Sequence, residues 1–329
     1  MPNYDKSTVP DTEIEVIRRN FLNNPDYFRP EHVCNDYQAT GLHVLPDPFG
    51  PDCANLIVSA LQDGKPFSAV RIGDGEANFL GFGAYEGTPN LDRHSVWDAV
   101  SKQKDQFALT ETWFHVLRDL MTFAVDQSDL VGVLGLWRPT PDAHKKIHSV
   151  IERIYTNPGS LTGHWRGIDL MLQQAHLERF KGKTVASAHF YFGILAHLDQ
   201  IIPAARHVYC VTSSAAAVDR IAANFPDTAV TRIPVGMPRP NKAAPLLEPE
   251  FFTGVDAELP GDMCGSLCLI GAGPWAEIYC AWVKSRGGVA VDLGSGFDLL
   301  AGETTRPVHH RVGPETVGNI LRQFTTETK

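Results

Sequence analysis

The run FSAVRIGDGEANFLGFG, residues 67–83, sets Asp74 and Glu76 one residue apart just beyond an apolar, strand-like stretch. Two carboxylates so spaced can converge on a hard divalent cation. Mn²⁺ or Mg²⁺ takes a few protein oxygens and completes its shell with water or ligand phosphate. Gly73 and Gly75 flank Asp74, and glycines let a backbone turn sharply and come close to a ligand. The same residues also suit a plain helix start, because Asp is a favoured N-cap and Glu a favoured first-turn residue. Arg71 precedes the acidic pair and either neutralises it or contacts a phosphate.

A second constellation lies late in the chain, in SLCLIGAGPWAEIYCAWVKSRGGVAVDLGSGFD. Gly271, Gly273 and Ala276 fit G-x-G-x-x-A between a strand and a helix, and Asp292 ends the next strand. Such a helix start offers free amides to an anion, and the acidic residue accepts from ribose hydroxyls. The pattern points to a nucleotide-like ligand, or else to the packing glycines of a tight βαβ unit. Gly294, Ser295 and Gly296 follow, a turn whose amides can form an anion nest. Asp298 either orients a sugar hydroxyl or caps a helix. His189 ends a strand-like run, as a ligand-facing base or a hydrogen-bonded core histidine. In GHWRG, Trp165 and Arg166 read as stacking and phosphate contacts or as a helix start; Arg306, in TTRP, reads as a phosphate clamp or a surface residue.

The elements that must position these residues alternate along the chain. Strand-like runs are FSAVRI (67–72), LVGVLGL (130–136), TVASAHF (184–190), HVYCVT (207–212), AVTRIP (229–234), SLCLIGA (266–272) and GVAVDLG (288–294). Between them lie the helical patterns TETWFHVLRDLMTFAVDQ, DAHKKIHSVIERIY, SSAAAVDRIAANF and WAEIYCAWVKSRG. This predicts an α/β, Rossmann-like fold with a mostly parallel sheet and helices on both faces. Ligands in such sheets bind beyond the carboxyl ends of the strands. The loops beginning at Gly73, Trp137, His189, Ser213, Gly271 and Gly294 are therefore the ones to watch. Residues 1–48 read as an N-terminal helical arm, with Ile14, Ile17 and Phe21 on one helix face, and residues 49–329 as the α/β domain. Within it, 234–262 carries six prolines, Pro234 to Pro260, and reads as a lid, a binding loop or a surface excursion.

Bulk properties narrow the function classes. The 329 residues carry a net charge of −9, from 29 Lys+Arg and 38 Asp+Glu. That balance excludes broad nucleic-acid or anionic-membrane binding, which needs a basic face. No apolar run approaches the ~18 residues of a membrane helix, and the start lacks the pattern of a secretory signal. A cytoplasmic protein is expected, and a homo-oligomer stays open. Cys264 and Cys268 lack a second Cys/His pair nearby, so zinc is not expected there.

With these residues in view, RIGDGE followed by an apolar helix resembles the Arg-x-Gly-Asp-Gly-Glu segment of the GT-D type glycosyltransferases, first grouped as a domain of unknown function. The late run, LIGAGPWAEIYCAWVKSRGGVAVDLGSGFDLLAGETTR, is similar to a segment of bacterial proteins carrying that domain. The resemblance spans about 51 to 310 and implies that Asp74 and Glu76 bind Mn²⁺ or Mg²⁺ bridging the diphosphate of a nucleotide-sugar, a UDP-sugar by family implication. Arg71, Gly73, Gly75, Gly271, Gly273, Asp292, Ser295 and Arg306 become candidate donor contacts. Asp74, Glu76 and His189 become candidate catalytic residues, with Glu76, His189 and Asp298 open as the base. The acceptor is a glycan, a glycoprotein or a lipid-linked precursor. Ile72 stands where the family often has an aromatic, and DLLAG lacks a tryptophan common before Ala-Gly. The competing readings are an S-adenosylmethionine or NAD(P) enzyme built on the late glycines, and a non-catalytic nucleotide-sugar-binding protein.

Overall fold

The computed structural model describes residues 9–100, 111–138, 151–235 and 250–324. Eight strands form one sheet: β1 (His43–Leu45), β2 (Phe67–Arg71), β3 (Leu130–Val133), β4 (Thr184–Ser187), β5 (His207–Thr212), β6 (Val230–Ile233), β7 (Ser266–Gly271) and β8 (Val289–Asp292). Their order is β1-β4-β3-β2-β8-β7-β5-β6, and every pairing is parallel. All seven expected strands are present. The eighth, β1, joins the edge by pairing Leu45 with Ala186.

The strands read as unbroken apolar runs because helices bury both of their faces. Side chains alternate with period two. Val70, Val131, Val185 and Ile270 enter one core with the helices Asp74–Leu80, Glu111–Gln127, Pro158–His176 and Ala276–Ser285. Ala69, Leu130, Ala186, Leu269 and Val291 enter the other, against Asp52–Gln62, Tyr191–Ala196, Ala215–Asn224 and Gly296–Leu300.

The N-terminal segment forms the helices Asp11–Asn23 and Pro30–Ala39 before it enters the sheet as β1. Ile14, Ile17 and Phe21 pack with Phe28, Leu91, Ile154 and Trp165. Buried Glu13 accepts from the amides of Asn90 (2.9 Å) and Leu91 (2.8 Å), capping the Pro89–Val100 helix. Of the pattern 142–155, residues 142–150 lie outside the described residues; 153–155 make a 3₁₀ turn. Of the proline-rich stretch, 236–249 lies outside them as well, while Glu250–Glu258 is a helix with Phe252 and Val255 in the core.

Beyond β2 the chain enters a helix on the first face; beyond β8 it enters one on the second. These strands are hydrogen-bonded neighbours, so their outgoing loops part and leave a crevice at their carboxyl ends.

Candidate functional site

The crevice has an acidic flank built by β2 and β8. Arg71, the last residue of β2, donates from Nε to Asp292 Oδ2 at 3.0 Å and from Nη1 to the Ala188 carbonyl at 3.3 Å. Its guanidinium also lies 5.0 Å from the Tyr191 ring centroid. Gly294 leaves room for it: φ is +48°, and a Cβ there would run into Arg71 Nη2. Only glycine meets both demands. Arg71 stays charged, because Asp292, Tyr191 and Glu76 more than offset its burial.

Three carboxyl groups share this one cation. Asp292 is 2% exposed and Glu277, in the first turn of the Ala276–Ser285 helix, is 0% exposed. As anions they leave Asp292 Oδ1 and both Glu277 oxygens buried without partners. Burial, with Glu76 and Asp292 near, pushes Glu277 well above the carboxylate range. A protonated Glu277 is a donor for Asp292 beside it. Burial and the charge of Asp292 also raise Glu76, to about 7, against the pull of Arg71. The Glu76 carboxyl folds back over Gly73, where a Cβ would come within 2.6 Å of its Oε2.

Asp74 opens the Asp74–Leu80 helix and is exposed. Its Oδ1 accepts from the Gly75 amide at 3.1 Å, and its Oδ2 from Ser160 Oγ at 2.7 Å. Ser160 lies in the first turn of the Pro158–His176 helix, which Asn157 caps by accepting from the Ser160 amide. That helix comes so close that a Cβ on Gly163 would strike the Asp74 carbonyl.

The other flank, past β3 and β4, is aromatic and basic. Trp137 and His189 rings lie 5.2 Å apart. His189 is driven to about 3 by burial and then by Arg71, His309 and Arg138. It is a neutral, weak base at physiological pH. His164 falls to about 3 by burial and the charge of Arg138.

The late glycines are placed differently from a dinucleotide turn. A Cβ on Gly271 would meet the Phe297 ring, so this glycine admits a core aromatic. Gly273, with φ +59°, starts a 3₁₀ turn ahead of the helix. Asp292 is buried, and its Oδ2 is engaged by Arg71. Ser295 Oγ lies 3.3 Å from His309 Nε2. Asp298 accepts from Thr305. Arg306 is exposed ahead of the Pro307–Val312 helix, and its charge reaches Tyr191 and His309.

Trp165 and Arg166 are corrected by burial. They are 3% and 0% exposed, well inside the helix; Trp165 packs on Phe21 and Tyr27, and Arg166 pairs with Asp92. The residues that motif reading passed over are Arg138, Ser160, His164 and Glu277. Glu277 had a signal: an acidic side chain within the apolar pattern AEIYCAWV.

Among the described residues no three His, Cys, Asp or Glu side chains stand together so as to enclose a metal ion. Asp74 and Glu76 nevertheless fit Mn²⁺ or Mg²⁺ as a donor set. Such ions are held by one or two carboxylates when substrate phosphates and water complete the shell. No helix among the described residues is long and apolar enough to cross a membrane.

No family model matches the chain, and no curated protein matches it. A solved structure titled "Selenomethionine substituted structure of domain of unknown function 1792" is similar at 14% identity and a TM-score of 0.41, over 79% of this chain and 80% of that one. A likeness that faint says nothing about chemistry.

Proposed function

We propose that this chain is a metal-dependent glycosyltransferase that moves a sugar from a nucleotide-sugar, a UDP-sugar, to an acceptor hydroxyl on a glycan, glycoprotein or lipid-linked precursor. One observation carries the reading. The turns that bear the family resemblance meet in one crevice, joined by the Arg71–Asp292 pair across 221 residues of sequence.

In this reading Asp74 and Glu76 hold Mn²⁺ or Mg²⁺, which when bound offsets the negative charge gathering on a leaving diphosphate. Ser160 holds the Asp74 carboxylate in place. Gly294 keeps Arg71 against Asp292, so the guanidinium edge is pre-set for phosphate oxygens. His189, lowered to about 3 by burial, is a poor general base at neutral pH. The S-adenosylmethionine and NAD(P) readings lose support because Asp292 is engaged and Gly271 is covered by Phe297.

The test is thermal unfolding with Mn²⁺ plus UDP, beside each alone, S-adenosylmethionine and NAD. Ligand at ~100 times its dissociation constant adds about 2.7 kcal/mol of stability. A shift that needs Mn²⁺ and UDP together and vanishes in Asp74→Ala is expected. A shift with S-adenosylmethionine or NAD alone sinks the reading. Binding without transfer across a broad acceptor panel points to a non-catalytic binder.

A further inference from the structure

Among the described residues no carboxylate pairs with Arg138. It follows β3 by five residues and is partly buried. Its Nη2 donates to the Tyr27 carbonyl at 3.3 Å and lies 3.2 Å from His164 Nε2. The guanidinium sits 4.9 Å from the Phe28 ring centroid, and its Nε is buried with no acceptor. Every one of these neighbours is neutral. The contrast with the other buried arginines of this region is plain: Arg71 has Asp292 and Arg166 has Asp92. Burial draws Arg138 down to about 10, and no carboxylate among the described residues pulls the other way.

Its position gives the missing charge a source. His164 follows Ser160 by four residues on the Pro158–His176 helix, and Ser160 holds Asp74. Residues four apart lie on one helix face, about 6 Å along the axis. Arg138 on His164 and Asp74 on Ser160 therefore stand roughly one turn apart on the same rail. The Trp137 and His189 rings, tilted against each other at 5.2 Å, lie past the ends of β3 and β4. A buried guanidinium without a counter-ion costs stability, and such a cost marks a place where a ligand supplies the partner.

We propose that Arg138 is a second anion-binding residue of this crevice, beside Arg71, and that its guanidinium receives a phosphate-type group of the ligand. Two oxygens of such a group match the planar donor fork, and a point-charge lysine would not serve equally. The phosphate belongs either to the donor's diphosphate or to a phosphorylated acceptor. The assignment concerns binding and does not require sugar transfer.

The experiment compares wild type, Arg138→Met and Arg138→Lys by calorimetric titration with pyrophosphate, UDP and inorganic phosphate, each with Mn²⁺ and with a chelator. Arg138→Met should bind pyrophosphate and UDP about ten- to hundredfold more weakly, and the ligand-free variant should melt at or above the wild-type temperature. Loss for pyrophosphate and UDP assigns the donor's diphosphate. Loss for inorganic phosphate with UDP binding intact assigns a phosphorylated acceptor. Equal binding of all three by wild type and variant overturns the proposal, whatever the melting temperature. If Arg138→Met does not fold, Arg138→Lys decides: binding weakened at least several-fold supports the fork, and unchanged binding overturns it. If Asp74→Ala leaves Mn²⁺-dependent binding intact while Arg138→Met loses pyrophosphate, the transferase reading fails and this one stands.

Discussion

On the β2–β8 flank of the crevice one guanidinium, Arg71, lies among Asp292, Glu277 and Glu76. On the β3–β4 flank Arg138 lies against His164 and near His189, with no carboxylate paired to it among the described residues. Burial acts on both flanks by one rule, which is to disfavour the charged form. It pushes the acids up and the histidines down. What remains charged differs. The first flank keeps an ion pair; the second keeps a buried cation with no carboxylate paired to it among the described residues.

The largest effect that tests this contrast is expected from Arg71→Met. Removing one partner of a buried pair costs about 3–5 kcal/mol, because the other is left uncompensated. In metal-free protein at pH 8, Asp292 must then stay ionised without a partner or take up a proton at a cost. At pH 5.5 the proton is more readily available, so the loss should shrink. Sign and cause agree: burial raises Asp292 and Arg71 pulls against it; without Arg71 the folded state holds the proton to higher pH than the unfolded chain does, so stability falls as pH rises. Urea unfolding at both pH values measures it. A loss independent of pH means Asp292 is answered by some other group, and the contrast with Arg138→Met disappears.

Much of this arrangement is legible along the chain, for physical reasons. Buried parallel strands read as apolar runs, so seven of the strands stand out; β1 is three residues long with His43 at its start, too short to show a period. The RIGDGE turn falls where the strand-end rule puts it. Asp292 shows why the rest is hidden: by spacing it reads as a ribose acceptor, yet its partner is 221 residues away in sequence. GHWRG shows the limit of a motif without a phase. The helix turns its neighbouring side chains to different sides, His164 to Arg138, Trp165 into the N-terminal core and Arg166 to Asp92. The residue that meets Arg138, His164, is adjacent to the two that the motif suggested. Asn157-Pro158, a cap and first-turn pair, does carry the helix start that would set the phase.

A smaller effect sharpens the acidic flank. Glu277→Gln keeps a donor for Asp292, so it should lie within about 1 kcal/mol of wild type. Glu277→Leu removes that donor, strands Asp292 Oδ1 and should cost about 2 kcal/mol. Infrared spectra at neutral pH should show a protonated-carboxyl band that both variants lose. If Gln and Leu cost the same, no proton is shared between Glu277 and Asp292.

The smallest effect tests the basic flank. His189 titrates near 6.5 in an unfolded chain and near about 3 in the fold. A lowered folded value means the unfolded chain binds the proton first. The stability tied to neutral His189 is therefore present above about 6.5 and lost as pH falls toward 3. His189→Gln lacks that proton in both states. Between pH 7.5 and 5.5 wild type should lose about 1 kcal/mol relative to the variant, since one unit below the unfolded value is worth about 1.4 kcal/mol. Paired denaturant titrations at those pH values measure the change. A constant gap would mean that His189 takes a proton inside the fold, which requires a carboxylate at hand. That carboxylate would also be near enough to answer Arg138, and the two flanks would cease to differ in kind.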